Sequence, residues 1–171
     1  MTRTAARELA VQLCFRLSAG EELSAEALED FFAQEYYETL SVEGGNFTQT
    51  PDEKQLSYIR EVTQGVQAHV EELDGFIEKY AVGWKPERIS KTALAVLRVA
   101  LCEIRYVAEV PAGAAINEAV ELAKSYDEPE TVAFINGVLG AYWRGEHEGK
   151  EEYRWNGKSF PSPRSTSISG S

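Results

Sequence analysis

A chain of 171 residues with 43% hydrophobic and 26% charged residues has room for one globular domain and a tail, and its composition is neither fibrous nor disordered. No apolar run approaches the ~20 residues of a membrane-spanning helix, and the opening MTRTAARELAVQLCF carries charges where a secretion signal needs an apolar stretch, so no membrane association and a cytoplasmic location are expected. The net charge of −11 argues against indiscriminate nucleic-acid binding, DNA included, because phosphates are held by Lys and Arg.

Seven helical segments follow from the spacing of apolar residues, and no period-two pattern competes with them. The first spans Thr4 to Leu17 on a stripe of Ala6, Leu9, Ala10, Leu13 and Leu17, and the second follows Ser24 as its N-cap. Between Arg16 and Lys54 there is no basic residue, while acids run from Glu21 to Glu53, and Ser41–Pro51 reads as a loop. Thr50-Pro51 opens the third helix, Leu73 to Tyr80 forms the fourth, and Gly83-Trp84-Lys85-Pro86 breaks the chain. The fifth, Ile89 to Val107, is apolar on most sides and is expected at the centre. The sixth and seventh lie within Val110–Arg144 and meet at Asp127-Glu128-Pro129. From His147 onward periodicity dissolves into a Ser/Pro-rich tail expected to remain flexible.

The residues offer little chemistry. Cys14 and Cys102 sit in apolar stretches and read as buried thiols; His69 and His147 have no cysteine pairs nearby, so no metal, and no cofactor, is expected. No Gly-rich phosphate loop, HExxH or GxSxG occurs, and no catalytic residue is assigned. Glu118 and Glu121 share a helix face, but Glu121 stands three residues before Lys124, as in a solvated ion pair. On the first helix Arg3 and Arg7, four apart, share a side, and Gln12 and Phe15 make a second small surface. Cations can hold phosphates, and a ring with an amide can stack on and read an unpaired base; the same spacing also fits a solvated face and a core ring. Arg98 and Glu103 stand in the apolar fifth helix and each needs a partner from another helix. Asn117, Asn136 and Gly137 have poor helix propensity and are expected where helices approach closely or an amide is buried.

The segments Ala115-Ile-Asn-Glu-Ala-Val-Glu-Leu-Ala-Lys124 and Phe134-Ile-Asn-Gly-Val-Leu139, the run Leu94–Ile104 and the opening Ala6–Phe15 together resemble the NusB family. The resemblance covers Thr2–Arg144, giving a domain at 2–144 and a tail at 145–171. It implies a compact all-α bundle of seven helices and the role of a bacterial transcription antitermination factor that binds RNA. It also implies that Arg3, Arg7 and Gln12 belong to an RNA-contacting first helix. Lys124 becomes a phosphate contact, and Glu130 and Phe134 lie alongside the RNA, with Phe134 as a stacking surface. Phe15, where relatives usually carry tyrosine, borders the implied protein-partner surface. Ala93 and Leu94 replace an acid common in relatives, leaving Glu87 as an upstream carboxylate.

The implied partners are NusE, a small-subunit ribosomal protein, and boxA-type RNA held on elongating RNA polymerase during rRNA synthesis. The acidic body suits a basic ribosomal protein, and a homodimer is a further implied assembly. Thr2, Thr4, Ala5 and Ala6 stand where relatives often carry more basic residues, so weaker RNA binding with a shallower salt dependence is expected. Two rivals are a helical protein adaptor without RNA recognition and a stand-alone relative of the NusB-like domain of rRNA cytosine methyltransferases. The latter enzyme needs a separate α/β domain, for which 171 residues leave no room.

Overall fold

The protein is represented by a computed structural model that describes residues 2–18, 20, 24–31, 51–84 and 86–146 and two short segments, 152–155 and 158–161. Most of the expected Ser41–Pro51 loop and of the acidic interval lies outside the described residues. Seven α-helices are described: α1 (Arg3–Ser18), α2 (Ala25–Phe31), α3 (Glu53–Ala68), α4 (Val70–Tyr80), α5 (Lys91–Tyr106), α6 (Ala112–Tyr126) and α7 (Pro129–Glu146), with a 3-10 turn at Pro86–Arg88. The expected all-α bundle is present.

Caps fix the helix boundaries. Ser24 Oγ accepts from Ala27 N at 3.0 Å, as its N-cap reading requires. Asp52 caps α3 by accepting from Gln55 N at 2.9 Å, so Pro51 lies buried just before the helix and does not open it. Ser90 caps α5 by accepting from Ala93 N at 3.0 Å, which leaves Ile89 outside the helix. Pro129 starts α7, where its missing N–H goes unmissed. After α4 the chain turns at Gly83, whose φ of +85° suits glycine.

The fifth helix is central, as its composition implies. It touches α1, α3, α4, α6 and α7, and a continuous set of its residues, including Leu97, Val99 and Leu101, is buried. Its two charged residues do find partners on other helices. Arg98 donates to both Asp74 oxygens at 2.8 Å and to Ser18 Oγ at 3.0 Å. Glu103, fully buried, accepts from Arg7 at 2.8 Å on both oxygens and from Tyr58 Oη at 3.0 Å.

A further expectation is corrected. Asn117, Asn136 and Gly137 do not bridge buried backbones; all three are exposed, and a Cβ at Gly137 would meet nothing within 4 Å. Most of the expected tail from His147 onward lies outside the described residues, apart from two short strands. Residues 152–155 (β1) and 158–161 (β2) pair antiparallel, with Trp155 opposite Lys158 and Tyr153 opposite Phe160.

α4 is tied to its neighbours through carboxylates. Glu72 accepts from Arg105 at 2.6 Å and from Tyr106 at 2.8 Å, and the Tyr106 ring stacks on His69 with centroids 4.1 Å apart. At the other end Glu146 of α7 accepts from Tyr80 and, at 3.0 Å, from Lys79. The Tyr106 hydrogen bond first, then Arg105, holds the Glu72 carboxyl below its ordinary 4.5; Tyr80 and Lys79 do the same for Glu146. A depressed folded-state pKa contributes stability above about 4.5 that disappears as pH falls through the lower folded value. Melting temperature is therefore expected to fall with acidification below that point. In Glu72→Gln/Glu146→Gln the acid-dependent part of the drop should shrink; an unchanged acid limb would refute the assignment.

Candidate nucleic-acid interface

Helices α1 and α6 are joined by side-chain hydrogen bonds along one surface. Thr4 Oγ1, at the start of α1, donates to Glu118 in the middle of α6 at 3.3 Å, while further along Tyr126 donates to Glu8 and Gln12 Nε2 to Tyr126 Oη at 3.4 Å. The eight residues from Thr4 to Gln12 climb about 12 Å at 1.5 Å per residue. The seam is thus a shallow strip with a basic end and an amide-aromatic end.

At the basic end, Arg3 lies over the Tyr58 ring at 4.1 Å and donates to Gln55 Oε1 at 3.1 Å and Glu109 Oε1 at 3.2 Å. A quarter of its side chain remains exposed. Lys54 stands exposed on the rim of the same hollow, which Glu109 and Glu118 also line. Arg7 does not share Arg3's exposure. Only 5% of it is accessible, because its fork is spent on Glu103, with Glu118 a further 3.6 Å away. Burial works against its charge, but the Glu103 hydrogen bond and charge outweigh burial and push the guanidinium pKa upward. Arg7 is therefore the floor of the basic end and is withdrawn from phosphate in this conformation, contrary to its reading as a surface contact.

At the other end Gln12 is half-buried, and Tyr126 presents an exposed ring whose hydroxyl, through burial and its bond to Glu8, is pushed up to about 12. Tyr126 thus stays a hydrogen-bond donor at physiological pH. Lys124 lies on the outer side of α6 and pairs with Glu121 at 2.8 Å, both well exposed. An exposed pair is worth little, so Lys124 can exchange its carboxylate for a phosphate. Lys124 also lines a groove between α6 and α7 together with Asn117, Asp127, Pro129 and Asn136. Asp127 Oδ2 has no hydrogen-bond partner there among the described residues, and burial raises the pKa of this carboxyl.

Glu130, exposed in the first turn of α7, stands beside Pro129 of that groove. Phe134 does not offer a stacking surface. It is 8% exposed and lies against Trp84 with ring centroids 4.5 Å apart, which places it in the core beneath the opposite flank.

That opposite flank carries the residues expected to face a protein. Phe15 is 40% exposed on α1, one turn before Ser18, which Arg98 holds. Arg98 in turn lines a hollow with Asp74, Ile77, Glu78, Trp84, Ile89 and Leu94. Ala93 is fully buried while Leu94 reaches this hollow, and Glu87 is exposed on the nearby 3-10 turn. Glu78 and Asp74 supply carboxylates that the sequence pattern does not assign to the partner surface. On the basic strip the pattern also misses Lys54 and Tyr126. Lys54 is the first cation after the long acidic interval, a signal that was open to use; Tyr126 can be placed only once α1 and α6 are known to be neighbours.

Residues 4–144 match the NusB family. The transcription antitermination protein NusB of Acetivibrio thermocellus is 40% identical over 140 residues, 82% of this chain and 87% of that protein. The protein of the same name from Levilactobacillus brevis is 39% identical over 140 residues, 81% of this chain and 90% of its own. Among solved structures, T. maritima NusB aligns with a TM-score of 0.63 at 23% identity, covering 83% of this chain and 90% of that one. A chain from the crystal structure of antitermination factors NusB and NusE in complex with double-stranded RNA aligns with a TM-score of 0.64 at 22% identity, covering 84% and 96%. At such identities the two solved structures establish the fold.

Proposed function

Because this chain belongs to the NusB family, we infer that it is a transcription antitermination factor, which acts by binding and carries no catalytic step. In this reading it pairs with NusE, and together they hold boxA-type RNA on elongating RNA polymerase during rRNA synthesis in the cytoplasm. The observation that carries the reading is the family match across the helical body, residues 4–144. Relatives 39–40% identical and named as antitermination proteins support it.

Geometry divides the labour. The seam of α1 and α6 takes RNA through Arg3, Lys54 and Lys124 as phosphate contacts, with Gln12 and Tyr126 against unpaired bases. The hollow of Asp74, Glu78, Trp84 and Leu94, with Phe15 and Glu87, takes the protein partner. Its carboxylates complement a basic ribosomal protein and speed its encounter. With three cations on the strip among the described residues, RNA binding by this chain alone is weak and NusE completes the site.

The test is anisotropy of a labelled boxA-type RNA titrated with this protein, alone and premixed with NusE from the same organism, across a salt series. Tighter, salt-sensitive binding with NusE is expected. Arg3→Ala/Lys54→Ala should flatten the slope of log K against log salt by about 1.4, since each single-strand phosphate left without its cation removes about 0.7. Association with NusE but no RNA binding in either arm would leave a protein adaptor and overturn the antitermination reading.

A further inference from the structure

Beyond the residues that match the family the chain continues for another 27, and their composition differs sharply from the body. Residues 153–171 hold three cations, Arg154, Lys158 and Arg164, and no acid, whereas the other 152 residues carry 14 basic against 28 acidic side chains. Three aromatic residues, Tyr153, Trp155 and Phe160, are interleaved with the first two cations. The pairing of β1 with β2 sets Tyr153 opposite Phe160 and Trp155 opposite Lys158. Because alternate strand positions share a face, positions 153, 155, 158 and 160 fall on one side of the ribbon. Three ring-bearing positions beside a cation are the composition of a single-strand binding platform, where bases stack and phosphates are neutralised.

The ribbon is also in the right place. The chain leaves α7 at Glu146 and brings β1 alongside α6, the helix that contributes Lys124 and Tyr126 to the basic strip. With β1 against α6, Asn117, Glu121 and Lys124 remain exposed, so the ribbon leaves this face open. A two-stranded ribbon is marginal by itself and gains stability by closing on a ligand.

We propose that the paired strands β1 and β2 form an accessory RNA contact, an aromatic-cationic ribbon beside α6 that extends the α1–α6 strip and binds single-stranded RNA. It supplies the cations that this chain lacks near its N-terminus, where Thr2, Thr4, Ala5 and Ala6 stand and Arg7 is buried. The inference rests on the RNA-binding reading above.

It is tested in the full chain premixed with NusE, using a short fluorescein-labelled single-stranded RNA in a salt series. Tyr153→Ala/Trp155→Ala/Phe160→Ala is expected to weaken binding about tenfold or more with little change in salt slope, since stacking is not a counterion effect. Arg154→Ala/Lys158→Ala should flatten the slope by about 1.4. Should both variants match the parent while Arg3→Ala/Lys54→Ala loses affinity, the ribbon is not a contact and only this inference falls. It falls likewise if the aromatic variant lowers the melting temperature and leaves RNA binding intact, which makes the ribbon a clasp on the body. If the parent binds no RNA with or without NusE, this inference and the reading beneath it fall together.

Discussion

Arg7→Ala is expected to destabilise the fold by about 3–5 kcal/mol, the cost of leaving a buried charge without its partner. At about 2–4 °C per kcal/mol for a chain of this size, the melting temperature drops by roughly 6–20 °C. The residue left behind is Glu103, fully buried and accepting from Arg7 on both oxygens. Without Arg7 it keeps, among the described residues, only the Tyr58 hydroxyl, at 3.0 Å, so either the carboxylate takes up a proton or the helices part to admit water. Glu103→Ala should cost a similar amount by stranding Arg7. Because the two are one unit, the double variant should cost less than the sum of the singles.

Arg98 provides the internal contrast. It makes an equally close bidentate pair, but Asp74 is 42% exposed, so water replaces the lost arginine, and Arg98→Ala should cost only about 1 kcal/mol. Thermal melts of the three single variants separate the two cases. A normal melting temperature for Arg7→Ala, combined with lost RNA affinity, would restore Arg7 as a surface phosphate ligand and refute its structural role.

Arg7 marks the limit of what the sequence makes legible. Helix number and order, the central position of α5 and the need of Arg98 and Glu103 for outside partners are legible, because apolar spacing and the cost of buried charge are local or nearly local properties. That Arg7 is the partner of Glu103, across 96 residues, depends on which helices become neighbours. A cation four residues from Arg3 has the same spacing whether it meets water or a carboxylate. Phe134 fails for a related reason: spacing does not say which side of α7 meets Trp84. The poor helix propensity of Asn117, Asn136 and Gly137 suggests packing devices, yet all three are exposed. At Asn117 and Asn136 that propensity instead marks the groove beside Lys124, where an amide can meet a ligand.

Like Gly145 beside Tyr80, Gly65, which no sequence pattern singles out, is a glycine whose place in a helix the packing does require. It lies in the middle of α3, where glycine costs about 1 kcal/mol relative to alanine, and a Cβ there would come within 2.7 Å of Cys102 Sγ on α5. Cys102 cannot easily yield, since it is buried and its thiol lies 3.7 Å from the Val62 carbonyl. Burial, with Glu103 nearby, also pushes that thiol up to about 12, so it stays neutral and behaves as a small apolar group. Gly65→Ala is therefore expected to destabilise by about 1–3 kcal/mol, the overpacking cost exceeding the gain in helix propensity. In a Cys102→Ala background the sulfur is absent, and the same substitution should become neutral or stabilising. The cycle then reads a coupling of about 1 kcal/mol or more. Denaturant melts of the four proteins measure it. If Gly65→Ala stabilises the parent by the propensity difference alone, α3 and α5 do not meet as closely as described, and the glycine has no packing reason to be there.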